Sequence, residues 1–145
     1  MAKFESTKII ELGSTAFRQP DADSHCRFIH GYKLTAKFWF ACDALDGNNW
    51  VVDFGGLKEL KDELRNLFDH TLCVSGDDPY LATFQQMYID EIVDLRVFDN
   101  GVSIEKFAER CYLIANHYLR TLGDRCWCSK VEVFEHSSNS AIYSD

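Results

Sequence analysis

The sequence predicts an α+β fold: a four-stranded antiparallel sheet with two long helices on one face and a short inserted helix. Three observations lead there. Residues 33–41 alternate, with Leu34, Ala36, Phe38 and Phe40 on one side and Lys33, Thr35, Lys37 and Trp39 on the other, the period of a half-buried strand. Leu60, Leu64, Leu67 and Phe68 recur at helical spacing, as do Phe107, Cys111, Ile114, Ala115, Tyr118 and Leu122. Strand runs grouped apart from the helices and joined by hairpin turns favour an antiparallel sheet over alternating parallel units.

In chain order, residues 8–15 read as the first strand and residues 33–41 as the second. Asp46-Gly47-Asn48-Asn49 is hairpin turn chemistry, and residues 50–54 read as a third strand after it. An amphipathic helix follows from Leu57. Asp78-Pro79 is a cap followed by a proline at the first helical position, and Leu81, Phe84 and Met87 continue at a spacing of three, which predicts the short inserted helix. Residues 93–98 read as a short strand or an extended loop. Asn100-Gly101 then turns the chain and Ser103 caps the second long helix. After Gly123-Asp124, residues 126–134 alternate again, with Trp127, Val131 and Val133 sharing a face.

The chain has 145 residues, and its 46% apolar and 14% aromatic content is enough to fill one core, so a single domain over residues 1–145 is expected. A net charge of −8 repels phosphate backbones and anionic membrane surfaces, which excludes nucleic acid and membrane surfaces as expected partners. The N-terminal residues carry no apolar signal region, and no stretch approaches the roughly 18 apolar residues of a membrane helix. A cytoplasmic protein is the expectation. The six cysteines are accordingly expected as free thiols, and Cys126 and Cys128, one residue apart, read as small strand residues and not as a zinc or redox motif.

Chemistry-bearing residues fall in an ordered series. Ser24-His25-Cys26-Arg27-Phe28-Ile29-His30-Gly31-Tyr32 places a thiol four positions before an imidazole in a turn-rich stretch. Downstream come Asp53-Phe54 with Leu57-Lys58, then Asp69-His70 closing the first helix, Ser103-Ile104-Glu105 opening the next, and Glu135 with Ala141-Ile142-Tyr143. An imidazole beside a carboxylate is a competent proton carrier near neutral pH. By parity, Glu135 ends the apolar row of Val131 and Val133, a costly place for a carboxylate unless a ligand or partner pairs it.

This series resembles the 6-pyruvoyl and 6-carboxytetrahydropterin synthases, in which a cysteine precedes a His-Gly-His, followed by Asp-Phe-x-x-Leu-Lys, an Asp-His pair, a Thr-x-Glu helix start and a late glutamate. The resemblance runs from about residue 9 to residue 143. It implies the tunnelling fold, with subunits joined into a trimer or hexamer and active sites at subunit interfaces. It also implies a small-molecule pterin substrate such as 7,8-dihydroneopterin triphosphate, lyase chemistry, and a role in queuosine or tetrahydrobiopterin-type biosynthesis. By the same resemblance Cys26, Asp69 and His70 are the acid–base residues, Glu135 anchors the pterin ring, and Ser103, Glu105 and Tyr32 line the substrate site.

One part of the pattern is broken. The family binds zinc through a histidine at the end of the first strand and both histidines of His-Gly-His, and only His30 remains as a metal ligand. Tyr32 replaces the second, and Ala16 or Phe17 falls at the first-strand position. One imidazole does not hold a catalytic zinc, which ordinarily takes three protein ligands. His25, Cys26 and Asp21 or Asp23 are the nearby donors from which a different site with His30 would have to be built. Tyr32 either donates a hydrogen bond where zinc polarised the substrate oxygen or simply fills the vacated space. Residues 76–100 are longer than the link the resemblance implies, and would reshape access to the site.

Overall fold

The structure, a computed structural model, describes residues 2–145. Its strands are β1 (Phe4–Phe17), β2 (His30–Cys42), β3 (Thr71–Ser75), β4 (Leu95–Phe98), β5 (Cys126–His136) and β6 (Asn139–Ser144), and its helices α1 (Lys58–Phe68), α2 (Leu81–Ile89) and α3 (Ile104–Arg120). All six strands join one sheet in the order β4-β3-β1-β2-β5-β6. The expected four-stranded antiparallel sheet is therefore corrected in both number and direction. β1, β2, β5 and β6 pair antiparallel. β3 pairs parallel with β1, and β4 parallel with β3, giving a mixed sheet.

Two local features explain where the expected pattern departs. Residues 50–54 are not a strand: the carbonyls of Ala44, Trp50 and Val51 accept from the Arg125 guanidinium at 3.1, 3.4 and 2.7 Å instead of from a neighbouring strand. The turn before them forms as its residues predict, with the Asp46 carboxylate accepting the N–H groups of Asn48 and Trp50. In β5, Trp39 pairs with Lys130 but Phe40 pairs with Cys128, so Ser129 is an extra residue that shifts the alternation. Cys128, and not Trp127, joins Val131 and Val133 in the core.

α1 and α3 cover one face of the sheet. Phe17, Phe68, Phe98 and Phe107 meet there edge to face, with ring centroids 5.2–5.3 Å apart for Phe107 against each of the other three. α2 packs on the opposite face, where Phe84 closes a small second cluster with Leu72 and Val74. β3 is thus buried on both faces, which is why its sequence shows no alternation. α2 starts two residues past Pro79, because the buried Asp78 carboxylate accepts from the Tyr80 N–H at 2.9 Å and turns the chain before the helix begins. Ser103 caps α3 as its sequence predicts, its hydroxyl accepting from the Lys106 N–H at 3.0 Å. No helix among the described residues is long and apolar enough to cross a membrane.

Candidate active site

The chemistry-bearing residues gather in three places. The first lies at the start of β2 and the end of β5. Cys26 sits exposed in a short helical turn, His25–Arg27, whose first N–H groups are capped by Ser24. His30 and Tyr32 are one side-chain period apart on β2, with rings at 5.6 Å in an edge-on arrangement. Burial pushes the Tyr32 phenol above its ordinary pKa, and the nearby Glu135 carboxylate and Cys26 thiol act in the same direction. Cys26, Tyr32 and Glu135 therefore share one electrostatic neighbourhood. The Glu135 side chain is 21% exposed and lies at an irregularity of the β5–β6 pairing, near enough to Tyr32 to act on its phenol.

His136 belongs to this cluster and was not singled out in the sequence. Its ring meets the Tyr32 ring at 6.1 Å and its Nε2 lies 3.9 Å from Glu135 Oε2. Nδ1 accepts the N–H of Ser138, which leaves Nε2 as the protonated nitrogen facing the carboxylate. A histidine one residue past a candidate anchor was the only available signal, and the bulge at Glu135 hides which face it takes.

The position of the first expected zinc ligand is filled by an aromatic ring. Phe17 is the cross-strand partner of His30, with ring centroids at 4.9 Å, and also touches Tyr32 at 6.1 Å. His30 Nδ1 lies 2.8 Å from the Phe28 carbonyl and so carries the proton toward it. Among the described residues, no three His, Cys, Asp or Glu side chains converge on a point where one ion could sit, so His25, Cys26, Asp21 and Asp23 are not brought together with His30.

The second place is the Asp69-His70 pair after α1. Asp69 Oδ1 accepts the Ser14 N–H at 3.0 Å while the His70 N–H donates to the Ser14 carbonyl at 2.6 Å, so one residue of β1 fixes both. The Ser14 hydrogen bond is the main reason the Asp69 carboxyl is held below the usual carboxylate range; partial desolvation opposes this, and His70 and Arg65 reinforce it. His70 Nδ1 lies 3.0 Å from Asp69 Oδ1, and its side chain is 84% exposed. His70 adopts φ 58°, a left-handed conformation uncommon outside glycine. The carboxylate orients the ring and leaves Nε2 facing outward, beside an open groove of about 860 Å³ walled by Ile29, Leu72, Met87 and Ile92.

The third is the start of α3, where Ser103 is occupied as a cap, Glu105 is exposed in the first turn, and Ser103 borders a shallow cavity of about 460 Å³ with Gln19 and Lys106. Gln19 links this place to the first, its N–H donating to the Cys26 carbonyl at 2.7 Å and its side-chain amide to the Val102 carbonyl. Among the described residues, no hydrogen bond or cavity joins Cys26 to Asp69 or His70 within the chain.

The mixed sheet thus carries a thiol, a phenol and a half-buried carboxylate in one neighbourhood and a carboxylate-imidazole pair in another. Similarity to known proteins gives this fold a family. Residues 11–145 match the 6-pyruvoyl tetrahydropterin synthase model, and the chain belongs to that family. Over 54 residues it is 35% identical to the 6-carboxy-5,6,7,8-tetrahydropterin synthase of Rickettsia conorii, a match spanning 37% of this chain and 39% of that relative. Its fold superposes on an uncharacterized protein of Wolinella succinogenes with a TM-score of 0.83 at 17% identity, covering 98% of each chain. A catalytic-residue mutant of Plasmodium vivax 6-pyruvoyltetrahydropterin synthase gives 0.66 at 15% identity over 99% of each. The Caenorhabditis elegans 6-pyruvoyl tetrahydropterin synthase gives 0.60 at 16% identity, over 98% of this chain and 94% of the other.

Proposed function

We propose that the protein is a cytoplasmic lyase acting on 7,8-dihydroneopterin triphosphate or a related pterin, by triphosphate elimination or side-chain cleavage. The observation that carries this reading is the cluster of Cys26, Tyr32 and Glu135 with an oriented Asp69-His70 pair held separately on the same sheet. A pterin presents an N–H and an amino group side by side, and one carboxylate accepts both in a charge-assisted pair. Glu135 is half-buried and accepts a side-chain hydrogen bond from Asn139 at 3.5 Å, so it suits that anchor. His70, with Nδ1 on Asp69, takes and returns protons at Nε2, and Cys26 is the exposed thiol on the other side of the reacting side chain. Ser103 and Glu105 supply polar groups at the rim.

The separation of Cys26 from His70 within one chain favours a site completed by a second copy. A trimer or hexamer of the kind the resemblance implies would bring one subunit's outward-facing His70 to another's Cys26 turn and would cover the open β4 and β6 edges.

The donor set does not fit the zinc that the resemblance implies. Phe17 has no lone pair, the Tyr32 phenol is pushed away from ionisation, and His30 alone is too few. The chemistry above therefore uses side chains only. Phe17 packed against His30 also favours a second reading, a pterin- or purine-binding protein of the same fold that has lost turnover.

Incubation with 7,8-dihydroneopterin triphosphate, comparing wild type, Cys26→Ala and Glu135→Gln, separates the two. The enzyme reading expects Cys26-dependent product and at least about tenfold weaker pterin binding by Glu135→Gln, the loss of a hydrogen-bonded charge. Pterin binding through Glu135 without product supports the second reading, and no binding overturns both.

A further inference from the structure

The end of β1 carries a buried charge pair that the chemistry above leaves unused. Arg18 Nε donates to Asp78 Oδ2 at 2.8 Å and Nη2 to Oδ1 at 2.9 Å, a bidentate fork, while Nη1 donates to the Arg27 carbonyl at 3.1 Å. The Asp78 side chain has no exposure and that of Arg18 only 15%. The rings of Tyr80 and Phe84 flank the guanidinium at 5.4 and 5.7 Å. All three guanidinium nitrogens are thus engaged, two on the inserted segment and one on the turn that contains Cys26.

A buried ion pair is on average no more stabilising than apolar side chains of the same volume, because desolvation cancels most of the attraction. What a bidentate guanidinium adds is direction. Here the direction is toward the Cys26 turn, which Gln19, the next residue, grips through the Cys26 carbonyl. Without these two bonds the turn would be held mainly by its own Ser24 cap and by local Arg27 contacts.

We propose that Arg18 and Asp78 form a clamp that fixes the Cys26 turn, and that the segment carrying Asp78 and α2 anchors it. Both are positioning residues. The relevance of the clamp to turnover rests on Cys26 being the site thiol, but its mechanical effect does not.

The test uses the full chain and two variants: Arg18→Lys, and the double variant Arg18→Met with Asp78→Asn, which removes both charges of the fork together so that neither is left buried without its partner. Arg18→Lys preserves charge but cannot bind both Asp78 oxygens and the Arg27 carbonyl at once. Amide hydrogen exchange over residues 22–28 is expected to run about tenfold faster in Arg18→Lys and in the double variant, a larger change than at the protected amides of β1 and β2, as loss of one charge-assisted hydrogen bond at this turn implies. With pterin substrate, kcat is expected to fall about tenfold with KM little changed. Wild-type exchange at residues 22–28 in both variants overturns the clamp. Faster exchange in the variants, with a wild type that makes no product, supports the clamp and overturns the enzyme reading.

Discussion

Gly13 gives a stringent test of how the Asp69-His70 pair is built. It follows the irregularity in the β1–β2 register between Glu11 and Gly13, and its φ is 111°, a region that side chains other than hydrogen rarely adopt. A Cβ placed there would sit 2.5 Å from Asp69 Cβ and Cγ and would overlap the carboxylate that holds Ser14 and His70. Gly13→Ala therefore combines about 1–2 kcal/mol of backbone strain with about 1–3 kcal/mol of overpacking, because no rotation of the Asp69 side chain moves its Cβ and the backbone must give way, some 2–5 kcal/mol in all. Urea denaturation followed by circular dichroism measures the stability change, and the same protein assayed with pterin should lose more turnover than Asp69→Asn, because both partners of the pair move. A Gly13→Ala protein within about 0.5 kcal/mol of wild type, the ordinary range for an innocuous surface change, would refute the reasoning that Asp69 is packed directly against this glycine.

Two further outcomes follow from the side-chain environments. Native iodoacetamide labelling at pH 8 should modify Cys26 alone, read by peptide mass spectrometry, since burial pushes the Cys73 and Cys126 thiols up to about 11, Cys128 up to about 12 and Cys111 higher still, while Cys42 is fully enclosed. For Asp78 the hydrogen bonds from Arg18 hold the carboxyl below the usual range, so its contribution to stability is complete above about pH 4 and is lost as pH falls through the folded value. The urea midpoint should therefore drop less steeply between about pH 4 and pH 2 in Asp78→Asn than in wild type. Parallel slopes would contradict this.

The long elements were legible because periodicity reports burial. β1 and β2 alternate, and α1 and α3 carry one apolar stripe each. What was missed had burial that periodicity does not encode. β3 is enclosed on both faces, with α2 on one side, and so looks like five residues without a pattern. β6 is a short, mostly exposed strand paired only with β5, and its polar residues resemble a tail. Val51 and Val52 are buried as a strand would bury them, yet Arg125, over 70 residues away, satisfies the carbonyls beside them. Of the candidate site, adjacency in sequence already made the Asp69-His70 contact legible, whereas the approach of Cys26 and Glu135 to Tyr32 depends on the sheet register. The Arg18–Asp78 fork joins residues 60 positions apart, and no local signal marks it. The metal question was legible in part, because Phe17 and Tyr32 can be read as non-ligands, but that Phe17 packs its ring on His30 required the β1–β2 register.

The central claim is that Cys26 and His70 act together at a site completed by a second copy. Its most direct test is to unfold Cys26→Ala and His70→Ala proteins together in equal amounts, refold them as mixed oligomers, and assay turnover of 7,8-dihydroneopterin triphosphate. Each variant alone should be inactive. Random mixing of two kinds of subunit around a ring should restore about one quarter of wild-type turnover, the fraction of interfaces that pair an intact Cys26 with an intact His70. A mixture as inactive as its components, beside an active wild type, would contradict the shared site.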